Sequence, residues 1–226
     1  MAKTAEYHLE EYRLHHQCST CEQPFLGAMQ TVMARTYWRS NRLSRDDDAR
    51  RRAAGLLAST VREFLGREPE AMEHLYAEAV KGLSDADPRS LVMLVERART
   101  LMLSRRFEAA LDLLRTAYPR VKRRRDAVLL SEVSHVTAKV LVHLGRPDEA
   151  LRYAEEAVNA SERSSCQEMQ LHDTKATYVH VLALNGRLQE ARAIGTKELE
   201  FCERVYGPNH GLTQHITLKM ASCHLF

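Results

Sequence analysis

The sequence predicts an all-α fold, an α-solenoid of about four helix-turn-helix repeats behind an N-terminal helical cap. Three observations carry this expectation. First, a phrase recurs as Gly66-Arg-Glu-Pro-Glu-Ala-Met72, Arg105-Arg-Phe-Glu-Ala-Ala-Leu111, Gly145-Arg-Pro-Asp-Glu-Ala-Leu151 and Gly186-Arg-Leu-Gln-Glu-Ala-Arg192. Its first residues, 66, 105, 145 and 186, stand 39, 40 and 41 apart, a spacing that marks stacked helical repeats. Second, the segments around each phrase carry apolar residues three and four apart, as in Leu91, Val92, Leu94, Val95, Ala98, Leu101 and Met102. Third, glycine (9) and proline (6) are scarce among 226 residues, and no segment alternates apolar and polar residues between hairpin turns.

Taken in order, these signals predict helices at 3–16, 24–43, 47–65, 69–82, 88–104, 107–120, 126–144, 148–162, 166–185, 188–205 and 211–225. Pro24, Pro88 and Pro147 suit first helical turns, where a missing N–H costs nothing. Asp87 is placed to cap the helix after it, and Ser44 with Asp47 resembles a capping box. Gly145 and Gly186 suit the left-handed position that ends a helix. The alanine of each phrase, Ala71, Ala110, Ala150 and Ala191, falls on the second helix of a pair, where a small side chain lets helices approach. Stripes at Val128, Leu129, Val133, Val136, Val140, Leu141 and Leu144, and at Leu151, Ala154, Ala157 and Val158, repeat the pattern. Phe25, Met29, Val32, Met33 and Tyr37, with Trp38, read as a packed cap over the first repeat. Residues 1–46 thus form the cap and 47–226 the array. The last repeat is incomplete, since the next joint would fall at 186 plus 41, residue 227, one place past Phe226.

The joints resemble tetratricopeptide repeats. In that family a glycine-containing turn leads into Glu-Ala-Leu, and a small residue sits at the close contact of the first helix. Ala98 and Ala138 stand twelve residues before Ala110 and Ala150, as the pattern has it. Ser59 and Val179 hold the equivalent places in the outer repeats, and Val179 is a departure. The junction Glu203-Arg-Val-Tyr-Gly-Pro-Asn-His210 is similar to that of kinesin light chain repeats, although Gly211 stands where those often have proline. The resemblance implies an interaction module that holds a cargo or partner.

The residues themselves point the same way. Counting from the repeated alanine, one first-helix position holds Thr60, Arg99, Lys139 and His180, and its neighbours add His135 and His143. Arg99, His135, Lys139, His143 and His180 form a modest basic stripe suited to a protein's acidic peptide or C-terminal carboxylate. The stripe lacks the paired Lys/Asn arrangement of the family's chaperone-binding clamp. A solvated face without a ligand is the alternative. Cys18 and Cys21, separated by two residues, form half of a zinc site that His15 or His16 (or His8) could complete. The alternative is two ordinary thiols, because no second Cys-x-x-Cys follows, and no other cofactor is expected. Lys122-Arg-Arg-Arg125 reads as a solvated inter-helix loop, with a nuclear import signal or a phosphate contact as the alternative. The Arg50-Arg-Arg52 run follows Asp46-Asp-Asp48 closely enough to be neutralised locally.

Composition narrows the function classes. The net charge of +3, from 33 basic and 30 acidic residues, is too small to expect nucleic acid as the partner. No apolar run approaches the ~20 residues needed to span a bilayer, and no apolar signal segment opens the chain. Five cysteines, an odd number, do not read as a disulfide framework, so an intracellular, cytoplasmic place is expected. No phosphate-binding glycine loop, His-Glu-x-x-His or nucleophile elbow is present, and Glu155–Glu156 read as a solvated face with no cleft. The expectation is a non-catalytic scaffold holding a protein or peptide in its concave groove. The alternatives are a structural subunit of a larger assembly and a zinc-binding N-terminal module.

Overall fold

The computed structural model describes residues 28–65, 69–83, 87–164 and 168–221. Its helices are α1 (Ala28–Asn41), α2 (Asp47–Leu65), α3 (Pro69–Val80), α4 (Pro88–Leu103), α5 (Phe107–Arg124), α6 (Ala127–His143), α7 (Pro147–Arg163), α8 (Glu168–Leu184), α9 (Leu188–Tyr206) and α10 (Gly211–Ala221). Among the described residues there is no strand, so the all-α expectation holds. The helix expected at 3–16, Phe25, and the thiols and histidines proposed for zinc lie outside the described residues.

The chain forms two compact units, residues 1–104 and 105–226. In the first, α1 packs on α2, α2 on α3 and α3 on α4, and α2 also touches α4. Its core joins Ala34, Leu57, Ala58, Met72, Leu75 and Tyr76, with Trp38, Leu56 and Met93 against them. Val32, expected in the packed stripe, is instead 55% exposed; Ala34 and Trp38 carry that helix's packing. Asp46, not Ser44, caps α2. Its Oδ1 accepts the amides of Asp48 and Ala49 at 2.9 and 3.2 Å. The Ser44 hydroxyl accepts the amide of Asp46 at 3.1 Å and so shapes the approach to the cap. Local neutralisation of the arginine run is as expected: Arg50 pairs with Asp47, and Arg51 and Arg52 with Asp48 at 2.9 and 2.6 Å. Residues of the same run also staple helices, because Arg89 reaches Asp48 at 3.1 Å and Arg50 reaches Glu78. Asp87 caps α4 through the Arg89 amide, with Pro88 in the first turn.

In the second unit each helix packs on the next, from α5 to α10. Further contacts link α6 with α8 and α8 with α10. The first helices of successive pairs therefore form a continuous layer. The joints set this geometry. Gly145 and Gly186 adopt φ of 70° and 73°, and the amides of Arg146 and Arg187 turn back to Leu141 and Leu182 carbonyls at 2.9 and 3.0 Å. Arg105 holds the same place in its copy of the phrase and takes φ of 60°, where a side chain is strained. Ala110, Ala138, Ala150 and Ala191 have no exposed surface, and so does Val179 at the departing position. Opposite Val179 the sequence compensates with Gly195, where a Cβ would stand 3.3 Å from Val179 Cγ1 and 1.9 Å from Met220 Sδ.

One boundary differs from expectation for a physical reason. The helix expected to end at residue 120 continues as α5 to Arg124, through Pro119. Val121 is fully buried in line with Leu114 and Ala117, and that burial outweighs the lost hydrogen bond at proline. Lys122, Arg123 and Arg124 therefore lie on the last helical turn rather than in a loop, with Arg125 left-handed after them (φ 56°). There they oppose the negative end of the helix dipole.

Three stability outcomes follow, each read by thermal and denaturant unfolding. Ala150→Leu forces apart a crossing with no free volume and should cost about 1–3 kcal/mol. Pro119→Ala restores a helical N–H on an exposed position and should stabilise by about 1–3 kcal/mol. Arg105→Gly relieves a left-handed side chain and should stabilise by about 0.5–1 kcal/mol after the added chain entropy; a loss of stability would contradict the strain argument.

Candidate functional site

The layer formed by α6, α8 and α10 carries a ladder of polar side chains. Residues 135, 139 and 143 recur every four residues on α6, so one face of the helix presents them all. Residues 173, 177 and 180, spaced four and three apart, share a face of α8, and 215 and 219 share one on α10. Apolar residues on the other sides of these helices, such as Val140, Val179 and Ile216, are fully buried and fix the rotation of each face.

Asp173 is the centre of the ladder. Its Oδ2 accepts from Lys139 Nζ at 3.0 Å and lies 3.6 Å from His135 Nε2. Its Oδ1 lies 3.5 Å from His215 Nε2. Burial pushes this carboxyl up, yet the charges of Lys139, His135 and His215 prevail and hold it below the usual range. Thr177 links the rungs: its hydroxyl donates to the Asp173 carbonyl at 3.2 Å, so His135 Nε2–H, 2.9 Å away, donates to Thr177 Oγ1.

The other end of the ladder is different in kind. Lys219 Nζ stands 3.2 Å from His180 Nδ1. An ammonium only donates, so Nδ1 accepts and the imidazole is neutral. Burial, with Lys219, His215 and His143 beside it, lowers the His180 pKa to about 4. Burial and Lys139 likewise lower the Lys219 ammonium, against the pull of Asp173. His143 is exposed at the end of α6 and stacks on Phe107, centroids 4.8 Å apart and rings 11° from parallel. Partial desolvation of its ring, with the charges of Lys219, Arg105 and Lys139, lowers it too. His215 is lowered chiefly by burial, opposed by Asp173.

Of the residues the sequence singles out, His135, Lys139 and His180 enter this ladder, with His143 at its margin. Arg99 belongs to the first unit, where it lies 3.8 Å from Glu96 on α4. His180 adds no positive charge near neutral pH. Asp173, Thr177, His215 and Lys219 escaped the sequence reading. One repeat length past His180 points close to Lys219, 39 residues on; nothing in the spacing marks Asp173 as the acid that gathers the bases.

Other features are accounted for by packing. His172 and Lys175 share Glu198, Lys175 at 3.0 Å, and the His172 ring stacks on Phe201 at 4.4 Å. This is a buried polar cluster between α8 and α9. Glu155 and Glu156 lie with Arg152 and Arg163 on an open surface of α7. Glu156 is engaged there by Tyr118 Oη at 2.5 Å and Lys122 at 3.2 Å. Among the described residues no three His, Cys, Asp or Glu side chains are grouped to hold a metal ion, and no helix is long and apolar enough to cross a membrane.

Known proteins place this architecture. Residues 89–163 and 179–211 match two family descriptions of the tetratricopeptide repeat. A solved Podosopora anserina protein assigned to the kinesin light chains, with nearly identical TPR-like repeats, is similar to the chain at 18% identity. That likeness covers 78% of this chain and 86% of the other, with a TM-score of 0.61. Its Q17M variant is similar at 19% identity, over 78% and 85% of the two chains, with a TM-score of 0.62. No curated protein matches the sequence. The repeated joints, the sequential helix packing and both family matches make this chain a tetratricopeptide-repeat protein.

Proposed function

We propose that the protein is a non-catalytic scaffold that holds an acidic peptide, or an acidic segment of a protein, against the face shared by α6, α8 and α10. Tetratricopeptide repeats are generally protein-interaction modules, and this face would be the concave one. The observation that carries the reading is the charge balance of the ladder. Two lysines, Lys139 and Lys219, share the ladder with the carboxylate of Asp173, which His135 and His215 also flank. A partner bringing carboxylates would complete the charge on a half-buried surface, where screening by water is weaker than on an open one. The odd cysteine count supports an intracellular setting, and residues 1–46 would serve as a cap to the array rather than as its binding face.

The test uses a rhodamine-labelled hexaglutamate peptide, with hexaglutamine as control, and fluorescence anisotropy on the full chain. Hexaglutamate should bind and weaken with added salt, and hexaglutamine should not bind. Lys139→Glu with Lys219→Glu, checked for folding by circular dichroism, should weaken hexaglutamate at least tenfold. Reversal of the exposed Arg123 and Arg124 to glutamate should leave it within twofold. Equal loss from both pairs, or no loss from the first, would sink the assignment to this face.

A further inference from the structure

We propose that Lys139, His135 and His215 form an anion site that the chain fills with its own Asp173, so that a carboxylate from outside enters by displacing Asp173. The site stands on contacts within this chain. The identity of the displacing group rests on the acidic-partner reading.

Three features make Asp173 a built-in ligand rather than half of an ordinary ion pair. Its carboxylate gathers bases from two other helices. Lys139 and His135 of α6 lie 3.0 and 3.6 Å from Oδ2, and His215 of α10 lies 3.5 Å from Oδ1. The bases also offer more than Asp173 uses. Lys139 carries three N–H groups. His215 Nε2 is buried and, among the described residues, makes no hydrogen bond, because 3.5 Å is too long for one. Asp173 is short and fixed to the backbone of α8, and it meets Lys139 while falling short of His215. A carboxylate not tied to α8 can settle closer to His215 and keep Lys139, whose long side chain follows it. Finally, the site is within reach of solvent, since 36% of the Asp173 side chain and 28% of Lys139 are exposed.

Displacement exchanges one carboxylate for another at the same bases. The charge-assisted hydrogen bond from Lys139 is broken to Asp173 and remade to the newcomer, and Asp173 turns to water. Two carboxylates at one site repel, so it holds one at a time. The bases keep Asp173 below the usual carboxylate range, and it therefore competes as an anion at neutral pH. Its tether also gives it a high effective concentration. An outside group binds the fraction of molecules in which Asp173 has turned away, and its apparent Kd is the intrinsic one divided by that fraction. Asp173 thus sets a threshold. A lone carboxylate is refused, whereas a segment carrying several, held elsewhere along the ladder, overcomes it.

Two measurements on the full chain test this. Asp173→Ala empties the site, and sodium formate is the probe. Formate should raise the Tm of Asp173→Ala along a saturating curve, by about 2 °C or more. The unmutated protein and Asp173→Ala with Lys139→Met should show no such curve. Asp173→Asn keeps the shape of the side chain and removes its charge. It should bind rhodamine-labelled hexaglutamate about fivefold or more tighter than the unmutated protein at fixed salt. Asp112→Asn, which removes an equal charge from the exposed surface of α5, should stay within twofold. No saturating effect of formate on Asp173→Ala, or one that survives Lys139→Met, overturns the site. Unchanged hexaglutamate affinity in Asp173→Asn overturns displacement and leaves the acidic-partner reading standing. Saturation by formate with no hexaglutamate binding to any form overturns the acidic-partner reading and leaves the site. Asp173→Asn decides displacement even where Asp173→Ala does not fold.

Discussion

Everything in this structure depends on how closely two helices can approach at a joint. The crossings are made by residues with almost no side chain: Ala98 within the first unit, and Ala110, Ala138, Ala150 and Ala191 within the second, all without exposed surface. An interior packed to the density of a crystal has no slack at such a point. The crossing distance, once set, fixes how far apart successive pairs stand and so how the first helices line up. Where the pattern fails at Val179, Gly195 gives back the missing space from the facing helix. The constraint is conserved within the molecule by the pair of residues, not by either position alone.

The polar ladder is a consequence of that spacing. Because α6 touches α8 and α8 touches α10, side chains that recur every three or four residues on each helix meet across the seams. Lys139 reaches Asp173 and Lys219 reaches His180 only because the layers stand one side chain apart. Burial then decides the chemistry of each group. The same partial removal from water that favours the neutral form of His180 would also favour a neutral Asp173, and only the bases beside Asp173 keep its charge. In one pair a lysine meets a carboxylate, and in the other a lysine meets a neutral imidazole.

Much of the fold was legible in the sequence. The positive φ of Gly145 and Gly186, the cap at Asp87 and the buried alanines could be read from residue type and register, because each depends on local backbone geometry or on side-chain size. Local signals misled where a distant contact outweighed them. The helix expected to end at residue 120 continues to Arg124, since Val121 must stay in the core. Ser44 reads as a cap, yet Asp46 stands nearer the first free amides and accepts two of them. Val32 fits the apolar stripe by spacing and faces water because Ala34 and Trp38 already fill the contact.

The candidate site was legible only in part, for the same reason. Sequence alone determined the repeat, the helices and the face on which residues 135, 139 and 180 lie, since these follow from a period of about forty residues and a turn of 3.6. Tertiary structure alone decided which charge meets which. Asp173 lies 34 residues from Lys139, and Lys219 lies 39 residues from His180. A histidine is a cation or a neutral acceptor according to neighbours supplied by other helices. Electrostatics acts through space and depends on burial, and neither distance nor burial is written in the spacing of a single chain.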